Sequence, residues 1–96
     1  MTHELFNLTG KSIYITGGSS GIGYAVASVM IELGATVIIA DIVDASAIAT
    51  KIGAHYVFCN VADEASVEKS FHDTRKLFNT PLDAIILNAG VGDVGP

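Results

Sequence analysis

Four apolar runs divide the chain, and each of the first three leads into a turn and then a stretch with helical character. "KSIYIT" (residues 11–16) is a short β-rich run that stops at a pair of glycines. Residues 21–33 set Ile22, Val26, Val29 and Leu33 at helical spacing, and Gly34 stands where a helix-ending glycine belongs. "ATVIIAD" (35–41) reads as a buried strand ending on an acid. Asp44 is placed to cap a short helix through Ile52, closed by Gly53. "HYVFC" (55–59) is a third strand. Asp63 is placed to cap a longer helix over 64–79, with Val67, Phe71 and Phe78 on one face and Pro81 just past its end. "DAIILN" (83–88) is a fourth strand, followed by the glycine-rich tail "AGVGDVGP".

This βαβαβαβ alternation with short connections predicts a parallel sheet with right-handed crossovers and helices on both faces. Strands covered on both sides carry continuous rather than alternating apolar runs, as "TVIIA" and "AIIL" do. Composition agrees: half of the 96 residues are hydrophobic and 16% are charged, which argues against disorder. The length suits one domain or a piece of one. A net charge of −5 without a run of Lys or Arg disfavours nucleic acid as a partner. No segment approaches the roughly 18 apolar residues of a membrane span, and the polar start "MTHEL" does not resemble a signal peptide. Lone Cys59 has no internal disulfide partner, which fits a reducing, cytoplasmic setting. The last strand is not followed by the helix that the pattern calls for, so the chain reads as cut short after its fourth strand.

The candidate chemistry lies in "YITGGSSGIG" (14–23). Glycine costs order in regular structure, so a cluster of four (Gly17, Gly18, Gly21 and Gly23) at a strand–helix junction needs a reason. A glycine-rich turn at that junction is a phosphate-binding element. Gly17 allows the tight turn, Gly21 a close approach of a diphosphate, and Gly23 close packing of helix on strand. Backbone N–H groups at the helix start lack intrahelical partners and favour an anion, and Ser19 and Ser20 add hydroxyl donors. Asp41 closes the second strand 18 residues after Gly23. Its carboxylate can accept from the 2′- and 3′-hydroxyls of an adenosine ribose and would repel a 2′-phosphate. Ile42 and Val43 follow it, and the turn carries no Lys or Arg. The sequence therefore points to NAD rather than NADP. The plainer alternatives are an ordinary loop with a glycine cap, and Asp41 as a cap for the next turn.

Thr16-Gly17, three residues, then Gly21-Ile22-Gly23, together with Asp83 and "NAG" at 88–90 and the lead-in "LTGKSIYITGG", resembles the N-terminal half of a short-chain dehydrogenase/reductase over essentially the whole chain. The resemblance implies a doubly wound, Rossmann-like, three-layer α/β fold with strand order 3-2-1-4, and it makes residues 1–96 the dinucleotide-binding half of one domain. It implies that the diphosphate lies on the turn from Gly17 to Gly23 with Ile22 near the nicotinamide end, and that Asp41, beside Ile42, holds the ribose. Asn60-Val61 stand where the family has an Asp-Val pair that binds adenine, and the Asn60 side-chain oxygen can still accept from the amino group. Asn88, Ala89 and Gly90 match the motif that steadies the sheet and lines the cofactor's ribose, with Leu87 in place of the usual preceding Asn.

The family's reaction moves hydride between an alcohol and a ketone through a Tyr whose pKa is lowered by a Lys four residues later, helped by a Ser and a further Asn. Here Tyr14, Tyr24 and Tyr56 are followed at that spacing by Gly18, Ser28 and Asn60. The expectation is an inactive 96-residue chain, with the reaction, and the small-molecule alcohol or ketone it acts on, belonging to a longer protein. A non-catalytic nucleotide-binding module, or the product of a truncated gene, is the alternative; a methyltransferase-type adenosine site fits the motif worse. An uncovered fourth strand leads us to expect a homo-oligomer or a self-associating fragment. His3, His55 and His72 are scattered without metal-ligand spacing, Cys59 reads as a buried, inert thiol, and the mixed charges of 63–76 read as a solvated helix face.

Overall fold

The computed structural model of the chain describes residues 7–19, 21–78 and 81–88; Ser20, Ala89 and Gly90 of the expected site lie outside them. Four strands, β1 (Ser12–Thr16), β2 (Thr36–Asp41), β3 (His55–Phe58) and β4 (Ala84–Leu87), form one sheet in the order β3-β2-β1-β4. All three pairings are parallel. Three helices connect them: α1 (Gly21–Glu32), α2 (Ser46–Ile52) and α3 (Glu64–Leu77). The doubly wound, three-layer α/β arrangement anticipated from the sequence is the one found.

Side-chain alternation along the strands builds a separate core on each face of the sheet. Ile13 and Ile15 of β1 and Val37 and Ile39 of β2 point to one side, where Ala27 of α1 and Ala49 of α2 close over them. Tyr14 of β1, Ile38 and Ala40 of β2, Val57 of β3 and Cys59 point to the other, against Val67 and Phe71 of α3. Ile15, Val37, Ile38 and Ile39 are completely buried. At about 25 cal/mol per Å² of apolar surface removed from water, each contributes roughly 1.5–3 kcal/mol.

Helix ends follow local chemistry, with two differences from expectation. Gly53 closes α2 in the left-handed region (φ 83°) and Asp63 caps α3 by accepting from the Ala65 N–H. Asp44 lies one residue too early to be the cap of α2. Ala45 holds that position, and the Asp44 carboxylate reaches forward to accept from the Ser46 N–H (3.0 Å) and Oγ (2.7 Å). Those two bonds hold its pKa below the usual value. α3 ends at Leu77, where Phe78 turns extended (φ −134°) while its N–H still donates to the Thr74 carbonyl.

The strand ends are in register. Thr16 pairs with Ala40 on one side and Leu87 on the other, and Asp41 pairs with Phe58. The segments leaving β1, β2, β3 and β4 therefore emerge along one edge of the sheet. β1 lies between β2 and β4 at the point where the winding direction reverses, the crevice where open parallel sheets take ligands. β4 has no strand on its outer side among the described residues, and Ile85 and Leu87 are exposed there.

The second core holds a buried polar pair. The Tyr14 hydroxyl lies 2.5 Å from Ser70 Oγ, and that oxygen donates in turn to the Val67 carbonyl at 2.8 Å. The Tyr14 ring stacks on Phe71 with centroids 4.7 Å apart. Burial is the main cause that raises the Tyr14 pKa above its ordinary 10.0. A phenol whose folded pKa is raised contributes stability in full below the unfolded pKa and loses it as pH climbs toward the folded one. Urea midpoints should fall as pH rises past about 10, and Tyr14→Phe should make that fall shallower. At neutral pH the same variant should lose about 1 kcal/mol, the net worth of one buried hydrogen bond.

Candidate functional site

The glycine turn leaves β1 at Gly17, whose N–H donates to the Ala40 carbonyl at 2.8 Å, so β2 still guides the chain where the strand ends. Gly17 (φ 67°) and Gly21 (φ 53°) both occupy the left-handed region that side chains disfavour. A Cβ placed on Gly21 would meet nothing within 4 Å, so the surface over that turn is open. Gly23 differs. A Cβ there would collide with the Gly17 carbonyl and stand 2.5 Å from Asn88 Nδ2. Helix α1 therefore begins pressed directly on the turn.

Asn88 secures the turn from the β4 side. Its N–H donates to Thr16 Oγ1 at 2.9 Å, and its Nδ2 donates to the Gly17 carbonyl at 3.3 Å. On the β2 side Asp41 does the corresponding work. Its Oδ2 accepts from Ser19 N–H (3.2 Å) and Ser19 Oγ (2.5 Å), and its Oδ1 accepts from Val43 N–H at 3.1 Å. The Asp41 carbonyl accepts from the Cys59 N–H at 3.1 Å and the Tyr56 hydroxyl at 3.0 Å. Burial, then the charges of Asp44 and Asp41, raise the Tyr56 pKa, so the phenol keeps the proton it donates.

A cavity of about 120 Å³ opens beside the turn, lined by Gly17, Ala40, Asp41, Ile42, Cys59, Asn60 and Val61. It gathers five of the residues expected at the site: Gly17, Asp41, Ile42, Asn60 and Val61. Ile22 is not in it; it stands on the first turn of α1, 73% exposed. Ser19 departs from expectation, because its hydroxyl is turned to the nearest full negative charge, Asp41, rather than left free for an anion. The Asn60 oxygen is likewise engaged, accepting from the Ala62 N–H at 3.0 Å; a carbonyl oxygen retains a second acceptor direction. Sequence reasoning missed Ala40 and Cys59 as lining residues. The signal was available in that each adjoins an expected residue at a strand end. It also missed the Tyr56–Asp41 bond, which depends on the β2–β3 register. Among the described residues, no group of His, Cys, Asp or Glu is arranged to hold a metal ion, and no helix is long and apolar enough to cross a membrane.

A profile of the short chain dehydrogenase family matches residues 11–96. The chain belongs to the short-chain dehydrogenase family. This is a family of oxidoreductases whose members bind nicotinamide dinucleotides. Tropinone reductase-like 1 of Erythroxylum coca is 43% identical to this short-chain dehydrogenase chain over 88 residues, which is 88% of the chain and 32% of that protein. The mitochondrial borneol dehydrogenase of Lavandula x intermedia is 38% identical over 89 residues, 91% of the chain and 34% of that protein. The solved Pseudomonas aeruginosa RhlG/NADP active-site complex superimposes with a TM-score of 0.83 at 29% identity, covering 90% of this chain and 37% of that one. The chain thus spans about a third of the length of the relatives it matches.

The two tight glycines should respond differently to a methyl group. Gly23→Ala, with a backbone carbonyl in the way, should lose about 3 kcal/mol in urea unfolding. Gly21→Ala, which meets only the left-handed backbone penalty, should lose about 1 kcal/mol.

Proposed function

We propose that the glycine turn and the adjoining cavity hold NAD, and that the chain is the NAD-binding portion of an oxidoreductase interconverting an alcohol and a ketone. The observation that carries this reading is the position of Asp41. Asp41 lines the cavity, its carboxylate is joined to the glycine turn through Ser19, and no Lys or Arg is among the lining residues. A ribose diol finds an acceptor there, whereas a 2′-phosphate finds a like charge and no cation.

The residues present fit such a group. The backbone at Gly21 is bare and faces open space, and Gly23 lets α1 approach with its N-terminal end toward the turn, where the helix dipole favours the charge of a diphosphate. Ile42 and Val61, both exposed at the cavity, supply apolar surface for a purine, and Asn60 a polar edge. Bound NAD supplies the hydride acceptor. The chain's own part is to seat and orient it, since no Tyr is followed four residues later by Lys in the sequence. By this reading the 96 residues bind cofactor without turning over substrate.

Asp41→Ala should weaken NAD roughly tenfold and narrow its margin over NADP, as expected when hydrogen bonds to a charged acceptor are lost; titration calorimetry with both cofactors reads this, and unchanged affinities would sink the ribose assignment. The purified 96-residue chain should oxidise no alcohol in a spectrophotometric NADH assay, while the same chain extended in frame through a Tyr-x-x-x-Lys segment should. Turnover by the short chain alone would contradict the division of labour.

A further inference from the structure

The Asp41 carboxylate is nearly saturated by the chain itself. Oδ2 accepts two hydrogen bonds from one residue, Ser19 N–H and Ser19 Oγ, and Oδ1 accepts one from Val43 N–H. Two carboxylate oxygens offer about four acceptor directions. Among the described residues three are filled, which leaves one direction on Oδ1. A ribose diol brings two hydroxyl donors, one more than the acid can take as it stands. Of the three internal donors, Ser19 N–H and Val43 N–H belong to the backbone and are fixed by the turn and by the residues after β2. Ser19 Oγ alone can leave by rotation about a single bond.

We propose that the Ser19 hydroxyl is an exchangeable cap on the ribose acid, making Ser19 a specificity-determining residue for the sugar of the bound dinucleotide. This rests on the reading of Asp41 as the ribose-binding carboxylate. One sugar hydroxyl takes the open direction on Oδ1. The other takes the direction on Oδ2 that Ser19 Oγ vacates, while the two backbone N–H groups keep the carboxylate in place. The two hydroxyls are therefore unequal. A ligand lacking the hydroxyl on Oδ2 loses little, because Ser19 returns and fills the vacancy. A ligand lacking the hydroxyl on Oδ1 has no such replacement.

The test is calorimetric titration of the 96-residue chain with NAD and with its two analogues lacking the 2′- or the 3′-hydroxyl of the adenosine ribose. For the wild-type chain one analogue should bind within threefold of NAD and the other about tenfold more weakly. In Ser19→Ala both analogues should bind about tenfold more weakly than NAD, and Ser19→Thr, which restores a hydroxyl, should restore the asymmetry. Equal penalties in the wild type, or an asymmetry that survives Ser19→Ala, would overturn the exchange while leaving Asp41 as the ribose acid. NAD binding untouched by Asp41→Ala would instead overturn the ribose reading itself.

Discussion

The contact between Gly23 and the Gly17 carbonyl sets the geometry on which the rest of the site depends. No side chain fits between them, so α1 starts directly on the turn that leaves β1. Close approach there brings the positive end of a helix to the same sheet edge where β2, β3 and β4 end in register. The apolar runs supply the rigidity behind that edge. Ile13, Ile15, Val37 and Ile39 on one face and Tyr14, Ile38 and Ala40 on the other fix the strands, and residues 17, 41, 60 and 88 follow from where those strands stop.

The turn is also tied laterally, and the two ties differ in kind. Toward β4 the tie is neutral, an amide donating to a peptide carbonyl. Toward β2 it is charged, two donors of Ser19 on the Asp41 carboxylate. Charge-assisted hydrogen bonds are the stronger class, and Asp41 is itself held at its carbonyl by Tyr56 and Cys59. The acid is thus a junction for β1, β2 and β3 as well as a lining residue of the cavity.

Much of this was legible in the sequence, because the determinants are local. The apolar runs gave the strands, glycines and capping acids gave most helix ends, and the TGxxxGIG spacing gave the turn. The misses arose where the outcome is decided by tertiary proximity. Asp44 and Asp41 are both acids that follow apolar residues, yet one reaches forward to Ser46 and the other back across 22 residues to Ser19. The second bond depends on the fold bringing the two segments together, which no linear pattern shows. Ser19 and Asn60 already bond within the chain, because a polar side chain at a turn first satisfies the nearest backbone or charged group, while the Asn60 oxygen keeps a second acceptor direction. Ile22 shares the motif with Gly21 and Gly23 and stands exposed on the first turn of α1.

The charged tie at Asp41 has a consequence for how cofactor preference could drift in such a scaffold. On the reading proposed, one carboxylate both selects the sugar and anchors the loop that seats the diphosphate. Replacing it with a small or basic residue, the simplest route to accepting a phosphorylated ribose, would also unmoor Ser19. A switch of preference would then need a compensating anchor elsewhere in the loop, so neighbouring single substitutions would be poor stepping stones and paired changes at positions 19 and 41 the more accessible path.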